Sequence, residues 1–108
     1  MPKYLSLFKY TAEGTKGFLK DKAAGREAAV RKAVDSIGTK LEAFYWVSSG
    51  EYSGAAIVDM PDAAAGAAFI AMVESTGAFA EFKSIEILTA SEFDRALAKS
   101  PAYRPPGA

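Results

Sequence analysis

The hydrophobic period of this chain changes along its length in an order that few folds can accept. Residues 3–10, KYLSLFKY, alternate, with Leu5 and Leu7 on one side and Tyr4, Ser6, Phe8 and Tyr10 on the other. That period of two marks a strand. From Lys22 to Ile37 the period lengthens: Val30, Ala33, Val34 and Ile37 stand at i, i+3, i+4 and i+7, the stripe of a helix lying on a core. KLEAFYWV at 40–47 alternates again, with Leu41, Ala43, Tyr45 and Val47 opposite Lys40, Glu42, Phe44 and Trp46. YSGAAIVDM is nearly continuously apolar, as befits a central strand covered on both faces. A second helix is expected over 63–76 with Ala65, Ala68, Phe69 and Met72 as its packing stripe, and FAEFKSIEILT at 79–89 supplies a fourth strand. Strand, helix, strand, strand, helix, strand predicts an α+β, ferredoxin-like βαββαβ fold: a four-stranded antiparallel sheet with both major helices on one face.

The punctuation agrees. Thr11 can cap the segment after the first strand, where Gly14 and Gly17 weaken the opening turns. Gly38 ends the first helix, and Gly50 sits in the turn at 48–51 where a positive φ suits a hairpin. Pro61 stops the third strand and Asp62 caps the alanine-rich helix. Thr89 and Glu92 have the spacing of a capping box, which predicts a short last helix through Phe93, Ala96 and Leu97. SPAYRPPGA then reads as extended. The expected organisation is a domain over 1–99 and a proline-rich tail over 100–108.

Missing residue types narrow the chemistry. Among 108 residues there is no His, Cys, Asn or Gln. That excludes disulfides, zinc thiolates, thiol nucleophiles and a serine–histidine triad. No cofactor is indicated: GTKGF is not a phosphate loop and the carboxylates do not cluster at metal spacing. Thirteen basic side chains balance thirteen acidic ones, so no net field draws nucleic acid or anionic lipid. Asp59, Pro61 and Asp62 interrupt the longest apolar stretch well short of the ~20 residues that span a bilayer. The expectation is a soluble cytoplasmic protein, with neither nucleic acid nor membrane as partner.

Two helices cover one side of such a sheet, and the other must be wet or buried by something else. The period assigns Phe8, Tyr10, Phe44 and Trp46 to the open side, interleaved with Ser6, Lys40 and Glu42. Soluble monomers rarely expose so large an apolar patch. The expected answer is a homo-oligomer, a dimer packed sheet to sheet, with an aromatic-lined pocket for a small ligand in or beside the interface.

Two stretches, MPKYLSLFKYTAEGTKGF and GTKLEAFYWVSSGEYSGAAIVDMPD, with the alanine-rich helix after them, resemble the GYD domain family over about residues 1–95. That family is small, mostly bacterial and largely of uncharacterised function; the resemblance implies the architecture of dimeric α+β barrel proteins. Its motif reads Gly, a variable residue, Tyr and Asp. Here the positions hold Gly50, Glu51, Tyr52 and Ser53, so the acidic residue is absent. No catalytic role is carried over.

The candidate ligand contacts are therefore Phe8, Tyr10, Glu42, Phe44, Trp46 and Tyr52. Each also has a plainer reading: aromatic rings pack in cores, Tyr52 can be a packed ring with its hydroxyl at the rim, and Glu42 can pair with Lys40 or Lys83. Asp59 is either a partly buried carboxylate with a raised pKa or an exposed strand end. Ser53 lacks a base to activate it. Three functions are compatible with these residues: a small-molecule-binding oligomer; a cofactor-independent isomerase or oxygenase with Glu42 or Asp59 as base; or a structural subunit whose tail reaches a neighbour.

Overall fold

The computed structural model describes residues 2–108. Its elements are β1 (Lys3–Tyr10), α1 (Ala12–Ser36), β2 (Leu41–Trp46), β3 (Gly54–Asp59), α2 (Ala63–Ser75), β4 (Phe79–Ile87) and α3 (Ala90–Leu97). The strands form one four-stranded antiparallel sheet in the order β2-β3-β1-β4. This is the ferredoxin-like arrangement that the periods demand, with the first strand central and the second at an edge.

Each boundary has its local cause. The Thr11 hydroxyl accepts from Gly14 N–H at 3.1 Å and opens α1, while Asp62 accepts from Ala65 N–H at 2.8 Å and opens α2. Thr89 and Glu92 form a reciprocal capping box at the start of α3. Gly38, Gly50 and Gly77 all take positive φ, and at Gly50 the value of 121° leaves glycine as the one comfortable residue. The break between the two helical pieces of α1 falls at Lys22, whose φ of 68° and ψ of 168° lie outside any helix.

The core lies between the sheet and the second half of α1. Val34 is wholly buried, and Leu41, Ala56, Val58 and Met60 join it, with Val30, Ile37 and Phe44 packed around them. Along β1 the buried residues are Ser6, Phe8 and Tyr10; along β3 they are Gly54, Ala56 and Val58. These face the helices. Leu5, Leu7, Ala55 and Ile57 therefore line the open side, across β1 from Lys83 and Ile85.

Two expectations need correction. Phe8, Tyr10, Phe44 and Trp46 lie under α1, not on the open face. A period of two says which residues share a side, but not which side the helices cover; the larger rings bury more area beneath α1, and the aliphatic set is left outside. In β2 the register shifts between Leu41 and Ala43. The bulge puts Leu41 on the same side as Phe44, where strict alternation separates them.

α2 holds itself apart. None of its residues is fully buried, and Met72 is 70% exposed. Phe69 reaches the core, but Ala68 and Met72 face a gap instead of α1. That gap is a concavity lined by both helices.

Candidate functional site

The gap is a cleft of ≈ 560 Å³ between α1 and α2, within the range of small-molecule sites. Both pieces of α1 contribute: Gly14, Gly17 and Phe18 before the break, and Arg26, Ala29, Val30 and Ala33 after it. Ala68, Phe69, Met72 and Val73 of α2 form the opposite wall, and Tyr10 and Phe79 close one end. Several of the facing residues are small: Ala29 and Ala33 on α1 and Ala68 on α2.

Behind that wall stands a continuous aromatic cluster. Phe18 stacks on Trp46 at 4.6 Å between centroids and on Tyr10 at 5.9 Å. Phe8 lies edge-on to Phe79 at 5.5 Å and to Tyr10 at 5.3 Å, and Phe44 meets Trp46 at 4.9 Å. Rings in such contact fix one another's orientation, which gives a soft ligand a rigid floor. Tyr10 and Phe18 belong both to this cluster and to the cleft lining.

The candidate residues therefore separate. Tyr10 lines the cleft; Phe8, Phe44 and Trp46 support it from behind. Glu42 is elsewhere, paired with Lys3, which also lies 3.6 Å from Asp59. The partner of Glu42 is thus Lys3, neither Lys40 nor Lys83. The hydrogen bond from Lys3 to Glu42 and the nearby Asp59 charge raise the Lys3 pKa above its ordinary value. Tyr52 lies beneath Lys83, whose Nζ is 5.8 Å from the ring centroid. Its hydroxyl, foremost, and then Glu81 and Glu51 raise the Lys83 pKa. These two charged groups belong to the face away from the helices and do not converge with the cleft.

Ser53 has a structural role. Its Oγ accepts the Tyr10 N–H at 3.2 Å, its own N–H donates to Phe8 O at 2.7 Å, and its carbonyl accepts the Val47 N–H at 2.9 Å. One residue thus ties the ends of β1, β2 and β3, and an oxygen in its side chain completes the set. Ser53→Ala should cost about 0.5–1.5 kcal/mol in urea denaturation, the usual net worth of a hydrogen bond. Ser53→Asp, which restores the acidic residue of the GYD motif, should be better tolerated because it keeps an acceptor there.

Reading the sequence alone misses Phe18, Arg26, Phe69 and Phe79 as site residues. The signal is present in the helix stripes, but a stripe facing a cleft has the same period as one facing a core.

Three comparisons bear on the chain. A family model described as GYD domain matches residues 4–97. Among solved structures, the fold is similar to that of an uncharacterized NIPSNAP domain protein from Burkholderia xenovorans, at 14% identity and a TM-score of 0.54, covering 84% of this chain and 96% of that one. No curated protein matches the chain significantly.

Proposed function

This chain belongs to the GYD domain family, and from that footing we propose that it is a homodimeric binding protein for a small, mainly apolar or aromatic molecule held between α1 and α2. The observation that carries the reading is the cleft itself: ≈ 560 Å³, walled by alanine, valine and methionine, with Tyr10, Phe18 and Phe79 at one end. An apolar concavity left open against a rigid aromatic cluster is where burial of a ligand gains most. The enzyme reading lacks comparable support, because Glu42 and Asp59, its candidate bases, both face Lys3 outside the cleft.

The test uses N-phenyl-1-naphthylamine, an uncharged fluorophore that brightens in apolar sites. It should bind one molecule per chain, and its contact with Phe18 should alter the emission of Trp46, the one tryptophan. Ala68→Trp, which fills the cleft from α2, should abolish both signals. Binding that survives Ala68→Trp would place the ligand elsewhere and end this reading.

Dimerisation rests on the other face. Leu5, Leu7, Ile57 and Ile85 form an apolar strip across the sheet, with Ile85 47% and Tyr45 71% exposed. Both signs of charge border it, Lys3 with Asp59 at one end and Lys83 with Glu81 nearer the other. A patch that is apolar in the middle and mixed in sign at its edge is self-complementary about a two-fold axis, which fits a second copy of the same chain. Light scattering at micromolar concentration should give a dimer, and Leu7→Asp with Ile57→Asp should give a folded monomer. A monomeric parent protein would overturn this part of the reading and leave the cleft untouched.

A further inference from the structure

We propose that the ligand of this cleft carries one anionic group, a carboxylate on an aromatic or alicyclic body, and that the Arg26 guanidinium takes it in exchange for Asp21. The inference rests on the cleft being the binding site, and adds the chemistry that selects its occupant.

The polar atoms of the cleft divide into committed and uncommitted ones. The Ser36 hydroxyl donates to Ala33 O at 2.6 Å and that of Thr76 to Val73 O at 2.8 Å, so both are spent on their own helices. Arg26 is different. Among the described lining residues it is the one base, and its side chain is only 29% exposed. A guanidinium offers five N–H donors, yet the partner found for it among the described residues is Asp21, 3.5 Å away. That is the far limit of a hydrogen bond.

The pair straddles a break in the backbone of α1. Lys22 lies between the two helical pieces with φ 68° and ψ 168°, a region sparsely used by residues other than glycine. Asp21 is 47% exposed and can turn to water when displaced. Glu13, the other carboxylate of the lining, is 81% exposed and leans toward Lys16 at 4.0 Å, leaving the interior to Arg26.

Tyr10 supplies a second donor. Tyr10 is 8% exposed, and its hydroxyl has no side-chain partner among the described residues. No described side-chain polar atom is both fully buried and unpaired, so this oxygen keeps some exposure, and Tyr10 is among the residues that line the cleft. A ligand carboxylate can meet Arg26 in the bidentate, short geometry that Asp21 does not reach, while its ring lies against Phe18 and Phe79.

The experiment is displacement of N-phenyl-1-naphthylamine by 1-naphthoate and by its uncharged counterpart 1-naphthamide. Naphthoate should compete about tenfold or more better than naphthamide, as expected of a charge-assisted bond in a partly desolvated site. In Arg26→Gln, with competition scored against that variant's own affinity for the fluorophore, the preference should vanish, while an unchanged circular-dichroism spectrum shows that the variant is folded. Equal competition by the two in the parent protein, or a preference that persists in Arg26→Gln, would overturn the proposal with the binding site intact. Failure of the fluorophore to bind at all would remove the site, and the proposal with it.

Discussion

Phe8→Ala should lower the stability of this protein by about 3–5 kcal/mol, the loss typical of removing a buried phenylalanine ring. Phe8 is 5% exposed and touches Tyr10, Phe44, Trp46 and Phe79 with centroids 5.3–6.0 Å away. Its neighbours hold one another in place, so they cannot collapse into the space it leaves. Beneath it is Gly54, where an added Cβ would overlap the ring. Glycine is required there because the Phe8 ring occupies the space of a side chain. Gly54→Ala should cost about 1–3 kcal/mol by overpacking. In the Phe8→Ala background the same change should cost far less, since the cavity accepts the methyl group; the coupling is readable in a double-mutant cycle. Urea denaturation measures all three variants. Additive losses would mean that the ring does not rest on Gly54.

Gly14→Ala has the second large expected effect, and its direction opposes helix propensity. Alanine in a helix interior is ordinarily favoured over glycine by about 1 kcal/mol. At Gly14 the added Cβ would collide with Ala78 O and lie 2.8 Å from the Tyr10 ring. The carbonyl is backbone, so β4 or the first turn of α1 must move. That turn is fixed to the same loop by Thr11 N–H to Ala78 O at 2.8 Å and the Thr11 hydroxyl to Gly77 O at 2.9 Å. A net loss of about 1–3 kcal/mol is expected, with weakened ligand binding because Tyr10 closes that end of the cleft. Gly17 is the control. A Cβ there meets nothing within 4 Å, so Gly17→Ala should stabilise by about 0.5–1 kcal/mol. If both substitutions stabilise equally, the close approach of α1 to Ala78 is wrong.

Those glycines also show what the sequence can and cannot disclose. They mark the opening of α1 as a weak helix, which is legible from propensity; the contact that Gly14 permits belongs to residue 78 and has no local signature. Element order is legible because alternation and helical stripes survive in a single chain, as do caps at Thr11, Asp62 and Thr89 that need only neighbours three residues away. The side of the sheet is not. Phe8, Tyr10, Phe44 and Trp46 group in one constellation by period, yet parity carries no information about where helices settle, and the open face is the wrong one for them. The bulge at Leu41 is hidden for the same reason that most bulges are: one extra residue leaves composition unchanged. The cleft is least legible of all. Ala65, Ala68, Phe69 and Met72 have the spacing of a packed stripe, and only the separation of two helices far apart in sequence shows that Ala68, Phe69 and Met72 border a cleft.

Ser53 answers a question that the family motif raises. Where the GYD motif carries Asp, this chain carries a shorter side chain whose oxygen still accepts the Tyr10 N–H. The position serves the junction of three strands, and through Tyr10 it steadies one end of the cleft. The backbone at this junction needs a side-chain acceptor at 53, which Ser53 supplies.

The central claim is that function lies on the helix side of the sheet. Amide and methyl chemical-shift mapping during titration with 1-naphthoate tests it most directly. The largest changes should fall on Phe18, Ala29, Ala33, Ala68 and Phe69, with Leu5, Leu7, Ile57 and Ile85 unmoved. Changes concentrated on Leu5, Leu7, Ile57 and Ile85 would instead put the ligand on the open sheet face and contradict the claim.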